Sequence, residues 1–253
     1  MNFLCIDIGN TRAKAAVFDE SGKPSDIWSC ELADLEQKLA KWLTPFFDTK
    51  LIVGWISTAG KVVDSDWELW RKFSQTPHIE SITPTDEHLP IAVAYDTPHT
   101  LGADRLVAAV AACSYFPDKP VLVIDAGTAI TYDCVDTHGS YLGGGISPGV
   151  RMRFQALHTF TARLPLVAPA ASAPLLGTST ETSMQAGAQR GAIAEVKGMI
   201  KDYRRLLGKD LKVFLTGGDS NTFEKHLKKL NFARYHLLLE GIYLILKHRL
   251  PII

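Results

Sequence analysis

One short pattern is written twice in this chain. Ile6-Asp7-Ile8-Gly9-Asn10-Thr11 and Ile124-Asp125-Ala126-Gly127-Thr128-Ala129 both leave an apolar, strand-like run, pass through Asp, one residue and Gly, and lead into another strand-like run. Asn and Gly favour hairpin turns, so a single copy would be ordinary turn chemistry. Two copies, one near the start of each half, point to two halves of similar fold facing each other. A chain of 253 residues is long enough for two modest cores. The expected division is residues 1–115 and 116–253, each half a mixed α/β layer.

The remaining patterns fill in the halves. Phe3–Ile8 and Ala13–Phe18 predict a hairpin, and Leu32, Leu35, Leu39 and Leu43 a helix over Glu31–Leu43. Leu51–Ile56 predicts a buried strand and Asp64–Phe73 a helix. Turn formers make Thr83–Pro98 a loop, and the alanine-rich Leu101–Cys113 a buried helix. In the second half, strands are expected at Val121–Ile124, Ile130–Val135 and Val213–Leu215. Gly143-Gly144-Gly145 leads to Ser147-Pro148-Gly149, which predicts a turn before a helix. Leu164–Thr178 reads as an irregular loop, and long helices follow over Thr180–Leu207 and Tyr235–His248.

Composition removes some functions. Lys+Arg and Asp+Glu both number 27, so the chain offers no global field for nucleic acid or an anionic membrane. Lys225, Lys228 and Lys229 form the densest basic cluster and read as the solvated face of a helix. No run reaches the roughly 18 uncharged apolar residues of a membrane span. The N-terminus lacks the basic start of a signal peptide. Cys5, Cys30, Cys113 and Cys134 form no CxxC pair and read as reduced thiols of a cytoplasmic protein.

The repeated turns suit a nucleoside triphosphate, which needs backbone donors close to its phosphates and carboxylates near its Mg²⁺. Gly9 lets the backbone approach, Asn10 and Thr11 add donors, and Lys14 adds a point charge. Asp7 and Asp125 are placed to hold a metal or its waters. Thr216-Gly217-Gly218 suits a base or ribose lying on backbone. No clean Walker A or GxGxxG motif is present. Asp104 and Arg105 are the only charges between His99 and Ser114, counting His as neutral. An Asp in a first helical turn is favoured by the dipole, by roughly 0.3–1 kcal/mol. Arg105 has the wrong sign for that position. The functional reading makes Asp104 a general base toward a substrate hydroxyl and Arg105 a fork for a substrate carboxylate.

Taken together, Asp7-Ile8-Gly9-Asn10-Thr11, Tyr95-x-x-Pro98-x-x-Leu101-Gly102-Ala103-Asp104-Arg105, Asp125-Ala126-Gly127-Thr128-Ala129-Ile130-Thr131, Gly144-Gly145-Ile146-Ser147-Pro148-Gly149 and Thr216-Gly217-Gly218 resemble type III pantothenate kinases. The resemblance implies two ribonuclease H-like, actin-like halves, each a mixed sheet flanked by helices, with the active site in the cleft between them. It implies transfer of phosphate from ATP, with Mg²⁺, to pantothenate, in a cytoplasmic homodimer that engages neither nucleic acid nor membrane. ATP would be held by Asp7, Ile8, Gly9, Asn10, Thr11, Arg12, Ala13, Lys14 and Thr128. Pantothenate would meet Tyr95, Gly102, Ala103, Asp104, Arg105 and Thr180, with Asp104 as base. Asp125 would bind a monovalent cation, K⁺ or NH₄⁺. Gly177-Thr178-Ser179 departs from the family by lacking a basic residue. The competing readings are a kinase of the same superfold acting on another hydroxylated acid, and a non-catalytic accessory homologue. For Thr180 the competing reading is a helix N-cap, and for Tyr95 a packed loop aromatic.

Overall fold

The computed structural model describes residues 1–61, 63–227, 232–233 and 236–250. In chain order the elements are β1 (Asn2–Ile8), β2 (Arg12–Phe18), β3 (Trp28–Glu31), α1 (Leu35–Trp42), β4 (Leu51–Ser57), β5 (His78–Ser81), β6 (Ala92–Val93) and α2 (Ala103–Tyr115). There follow β7 (Val121–Ala126), β8 (Ala129–Val135), β9 (Ser140–Pro148), α3 (Val150–Thr159), α4 (Thr180–Gln185), α5 (Gly191–Leu207), β10 (Lys212–Thr216), α6 (Ser220–Glu224), β11 (Phe232–Ala233) and α7 (Leu237–Arg249). They form two compact units. Met1–Ser114 and the chain from His236 on make the first, and Tyr115–Tyr235 the second. The C-terminal helix, expected with the second half, is therefore part of the first.

In the first unit the strands run β3-β2-β1-β4-β5. β1 pairs antiparallel with β2 and parallel with β4. Side chains alternate across the sheet, so each face buries its own set. Leu4, Ile6 and Ile8 join Leu35, Leu39, Leu43 and Trp70 on one side. On the other, α7 packs on β1 and β4. Phe3 and Phe18 both meet the ring of Tyr243, and Leu246 fills the space above Gly54. Helix α2 crosses α7 where a Cβ on Gly241 would lie 1.9 Å from the Val107 carbonyl oxygen, so only glycine allows that approach.

The second unit repeats the arrangement, with strands in the order β11-β10-β7-β8-β9. β7 pairs antiparallel with β8 and parallel with β10, as β1 does with β2 and β4. Its core gathers Leu122, Ile124, Tyr132, Phe154 and the inner stripe of α5, Ala192, Ile193, Val196 and Ile200. That stripe follows the 3.6-residue period that brings one helical face to a core. A π-helical turn, Ala186–Arg190, joins α4 to α5. Its residues satisfy the irregular loop expected at 164–178. Gln189 donates to the Ala170 carbonyl at 2.8 Å and accepts from the Ala170 N–H at 3.0 Å, while Arg190 donates to Ala173.

Two of these expectations change, and one strand was not expected. Asp64–Phe73 holds only a 3₁₀ turn, Glu68–Lys72, not an α-helix. Ser147 and Pro148, expected in a turn, close the strand β9 that also holds Gly143, Gly144 and Gly145, because they pair with Ile130 and Ala129 on β8; a Cβ on Gly144 would strike the Tyr132 carbonyl. The edge strand β3 went unread. Of the basic cluster, Lys225 is exposed just after α6; Lys228 and Lys229 lie outside the described residues, as does Tyr235. The four cysteines are free thiols.

Candidate active site

Asp7 lies one residue before the end of β1, directly opposite Lys14 on β2. It shares the sheet face of Phe3 and Cys5, toward α7, because alternate residues point the same way. The hairpin closes through Gly9, whose N–H donates to the Arg12 carbonyl at 3.1 Å. Gly9 thus spends its own donor on the turn, leaving Asn10 and Thr11 at the exposed tip. Arg12 donates to Ser29 Oγ at 3.0 Å and is tied to β3.

Asp104 stands in the first turn of α2. Its Oδ1 accepts the Arg105 N–H at 2.9 Å and folds over Gly102, where a Cβ would come within 2.3 Å of that oxygen. Gly102 is therefore the residue that allows this carboxylate rotamer. Arg105 is buried. Burial raises the Asp104 carboxyl above the ordinary range, against the Arg105 N–H and guanidinium, which favour the ionised form. Burial likewise pushes Asp7 up to about 6, with Lys14 pulling it down and the Asp104 charge pushing it further up. The first unit thus assembles Asp7, Lys14 and Asp104 within electrostatic reach of each other. His236, at the start of α7, is held below its usual value by burial and then by the Lys14 charge. Sequence reading did not single it out, and an isolated His before a helix gave no signal. Tyr95 is partly buried in the loop between β6 and a 3₁₀ turn at Pro98–Thr100.

The second unit builds a matching end. Asp125 lies opposite Thr131 on β8 and Thr216 on β10. The Gly127 N–H donates to the Ala129 carbonyl at 2.9 Å, and Thr128 is exposed at the tip. Two glycines from distant motifs close on this turn. Gly217, at φ +94°, would place a Cβ 2.4 Å from both Asp125 Oδ1 and the Ala126 carbonyl oxygen. The Gly149 N–H donates to the Thr128 carbonyl at 3.0 Å. The Asp219 N–H donates to the Ala126 carbonyl at 2.8 Å, and burial raises the Asp219 carboxyl despite the Arg151 charge. Thr216-Gly217-Gly218, Asp125 to Thr128 and Ser147-Pro148-Gly149 thus converge in space, as their separate spacings could not show.

Thr180 is the first residue of α4 and is exposed. The cap is Ser179, which exchanges hydrogen bonds with Thr182 in a capping box. The N-cap reading of Thr180 is therefore replaced. Thr180 instead lines a cavity of about 1070 Å³ with Met152, Leu157, Phe160, Leu164 and Met184.

The donors suit phosphates and hard cations. A Cβ at Gly127 would meet protein atoms no nearer than 3.7 Å, so the missing side chain leaves room for a ligand rather than for packing. Among the described residues no three His, Cys, Asp or Glu gather into a metal cage. Asp7 and Asp125 offer single carboxylates, which fits an ion held largely by phosphate oxygens, carbonyls and water.

Comparison with known proteins places these features. A family profile described as type III pantothenate kinase matches residues 3–202. A type III pantothenate kinase of Bacteroides fragilis is 40% identical over 251 residues, covering 97% of each chain. One from Christiangramia forsetii is 41% identical over 251 residues, covering 96% of this chain and 97% of its own. Among solved structures, a Baf family transcriptional activator from Campylobacter jejuni superposes with a TM-score of 0.62 at 19% identity, over 98% of this chain and 99% of that one. An N-acetylmannosamine kinase from Listeria monocytogenes gives 0.53 at 14% identity, over 98% and 100%. At such identities these two likenesses concern the fold, that of the actin-like sugar kinases.

Proposed function

Because this chain belongs to the type III pantothenate kinase family, we propose that Asp104 is the general base in its reaction and that the Asp7 and Asp125 turns bind its ATP. The reaction is the ATP-dependent phosphorylation of pantothenate to 4′-phosphopantothenate, the first step of coenzyme A biosynthesis. The observation that carries the residue assignment is the Asp104 carboxylate, half-buried over Gly102 and electrostatically linked to Asp7. A carboxylate raised by burial is a better proton acceptor than one in water, and a positioned base contributes roughly 10²–10⁴ in rate. Asp104 takes the proton of the pantothenate hydroxyl as its oxygen bonds to the γ-phosphorus and ADP departs.

Around that step the residues orient and neutralise. Lys14 offsets phosphate charge, and the tips at Asn10-Thr11 and Thr128 give hydrogen bonds. Arg105 holds the pantothenate carboxylate in a fork, and Tyr95 and Thr180 are further contacts for pantothenate. A divalent cation near Asp7 would shield the triphosphate charge. Asp125, close against Gly217 and the Ala126 peptide, is suited to a monovalent cation, K⁺ or NH₄⁺.

The reading includes a cytoplasmic homodimer. Phe160, 84% exposed, lines the apolar cavity at Thr180, and Leu175 and Leu176, shortly before Thr180 in the chain, are 81% and 80% exposed. Exposed apolar side chains of this size suit an interface.

Purified protein should transfer phosphate from ATP to pantothenate, faster with K⁺ than with Na⁺. Asp104→Asn should bind ATP and melt no lower than wild type yet turn over at least about 10²-fold more slowly. Near-normal turnover would remove Asp104 from the role. Cation-independent rates would remove Asp125, and ATP consumption without pantothenate would point to another acceptor.

A further inference from the structure

Glu195 is a single carboxylate in the second turn of α5, with no motif around it. Three donors nevertheless converge on it. Ser147 Oγ at 2.5 Å and the Tyr132 hydroxyl at 2.9 Å donate to Oε1, and Arg153 Nη2 donates to Oε2 at 2.5 Å. Arg153 also donates through Nε to the Pro148 carbonyl at 2.9 Å. Burial alone would raise the Glu195 carboxyl, but these three partners hold it below the usual carboxylate range. Glu195 and Arg153 therefore grip the Ser147-Pro148-Gly149 turn from the α5 side.

The other side of that turn rests on the DxG turn of the second unit. A Cβ at Gly149 would lie 2.2 Å from the Gly127 carbonyl oxygen and 2.4 Å from that of Thr128. The strand register continues the contact, with Ala129 opposite Pro148 and Ile130 opposite Ser147. At such distances the two turns cannot move independently. Whatever sets Ser147 and Pro148 also sets the height of Thr128.

We propose that Glu195 is a positioning residue for the nucleotide, fixing through Ser147, Arg153 and Gly149 where the Gly127-Thr128 turn meets ATP. The proposal rests on the reading of that turn as part of the ATP site. Glu195 is not among the residues assigned to either substrate. A carboxylate is suited to the task because it accepts from all three donors at once. A neutral amide keeps the shape but removes the charge opposite Arg153 and turns one acceptor into a donor, so the Ser147 and Tyr132 hydroxyls must reverse their hydrogen bonds or Arg153 loses its acceptor.

The test compares Glu195→Gln, Glu195→Asp and Thr128→Ala with wild type. Affinity for a non-hydrolysable ATP analogue and for pantothenate would be measured by calorimetry, and melting temperature alongside. Glu195→Gln should weaken the analogue about tenfold and leave pantothenate within about twofold. Glu195→Asp, which keeps the charge, should recover to within about threefold. An unchanged analogue affinity in Glu195→Gln, with Thr128→Ala weakened, overturns the positioning role alone. Equal loss of both ligands with a lower melting temperature makes Glu195 a general stabiliser and overturns it as well. Unchanged analogue binding in Thr128→Ala overturns the reading of the turn and the proposal with it.

Discussion

Asp7 and Asp104 carry the same penalty, burial, and neither has a relief that cancels it. For Asp7 the direction has a consequence for stability. Its folded carboxyl titrates near 6, above the ordinary value of about 4. Between those values the folded chain binds the proton that the unfolded chain has released. The stability associated with protonated Asp7 is present below about pH 4 and is lost as pH rises through about 6. At neutral pH the enzyme therefore holds a destabilising charge at the place where a triphosphate and its cation would gather. Asp7→Asn is neutral at every pH. Its melting temperature should exceed that of wild type, by more at pH 8 than at pH 4.5, at about 2–4 °C per kcal/mol for a chain of this size. Thermal melts across that range check this, and a gain that does not grow with pH would remove the burial argument. The same residue shows what sequence could reveal. Asp7, Lys14 and Asp104 drew notice in the sequence because charges in apolar runs need a reason, and the structure sets them within electrostatic reach of one another. Glu195 was not, because a Glu on a long helix usually faces water, and its three partners come from other elements.

At the level of elements, hairpins read well and short helices did not. Gly9-Asn10-Thr11 and Gly127-Thr128 specify tight turns locally, so β1–β2 and β7–β8 follow from adjacent residues. In Asp64–Phe73 the aromatics Trp67, Trp70 and Phe73 are spaced by three. That period suits a 3₁₀ turn, where residues three apart eclipse. The stacked rings of Trp67 and Trp70, 6.2 Å apart, match it. The element that most constrains the site is α2, which carries Asp104 at its start and meets α7 at Val107, one turn later. Gly241→Ala would force those backbones apart, since carbonyl oxygen cannot yield as a flexible side chain can. Overpacking of this kind costs about 1–3 kcal/mol. The variant should melt about 2–12 °C lower, and its kcat should fall further than its loss of folded protein explains if α2 carries the proposed base. A variant that melts lower but keeps full kcat per folded molecule would show that the α2–α7 approach serves stability only.

The whole chain is one topology used twice, a three-strand antiparallel run extended by two parallel strands. The repeated DxG motif made this legible, since each copy ends the first strand of its unit. The return of α7 to the first unit was not legible. It depends on contacts with β1 and β4 from the far end of the chain, and the apolar pattern of α7 says only that it is buried. Among the described residues the large exposed apolar side chains are unevenly spread. With the exception of Met1 they belong to the second unit, Phe160, Leu175 and Leu176 foremost. A second copy covering several of them would remove that surface from water at about 25 cal/mol per Å². It would also bring a partner beside Thr180, which lines the same cavity. Light scattering on wild type should therefore give double the chain mass of 27.8 kDa. Replacing both Phe160 and Leu176 by Glu would bury unpaired charge at such a contact. That costs about 3 kcal/mol or more, over a hundredfold in dissociation. The double variant should run as a monomer with its melting transition intact and its KM for pantothenate raised more than its KM for ATP. A wild-type monomer at micromolar concentration would refute the dimer. A monomeric variant with unchanged KM for pantothenate would separate assembly from the substrate pocket.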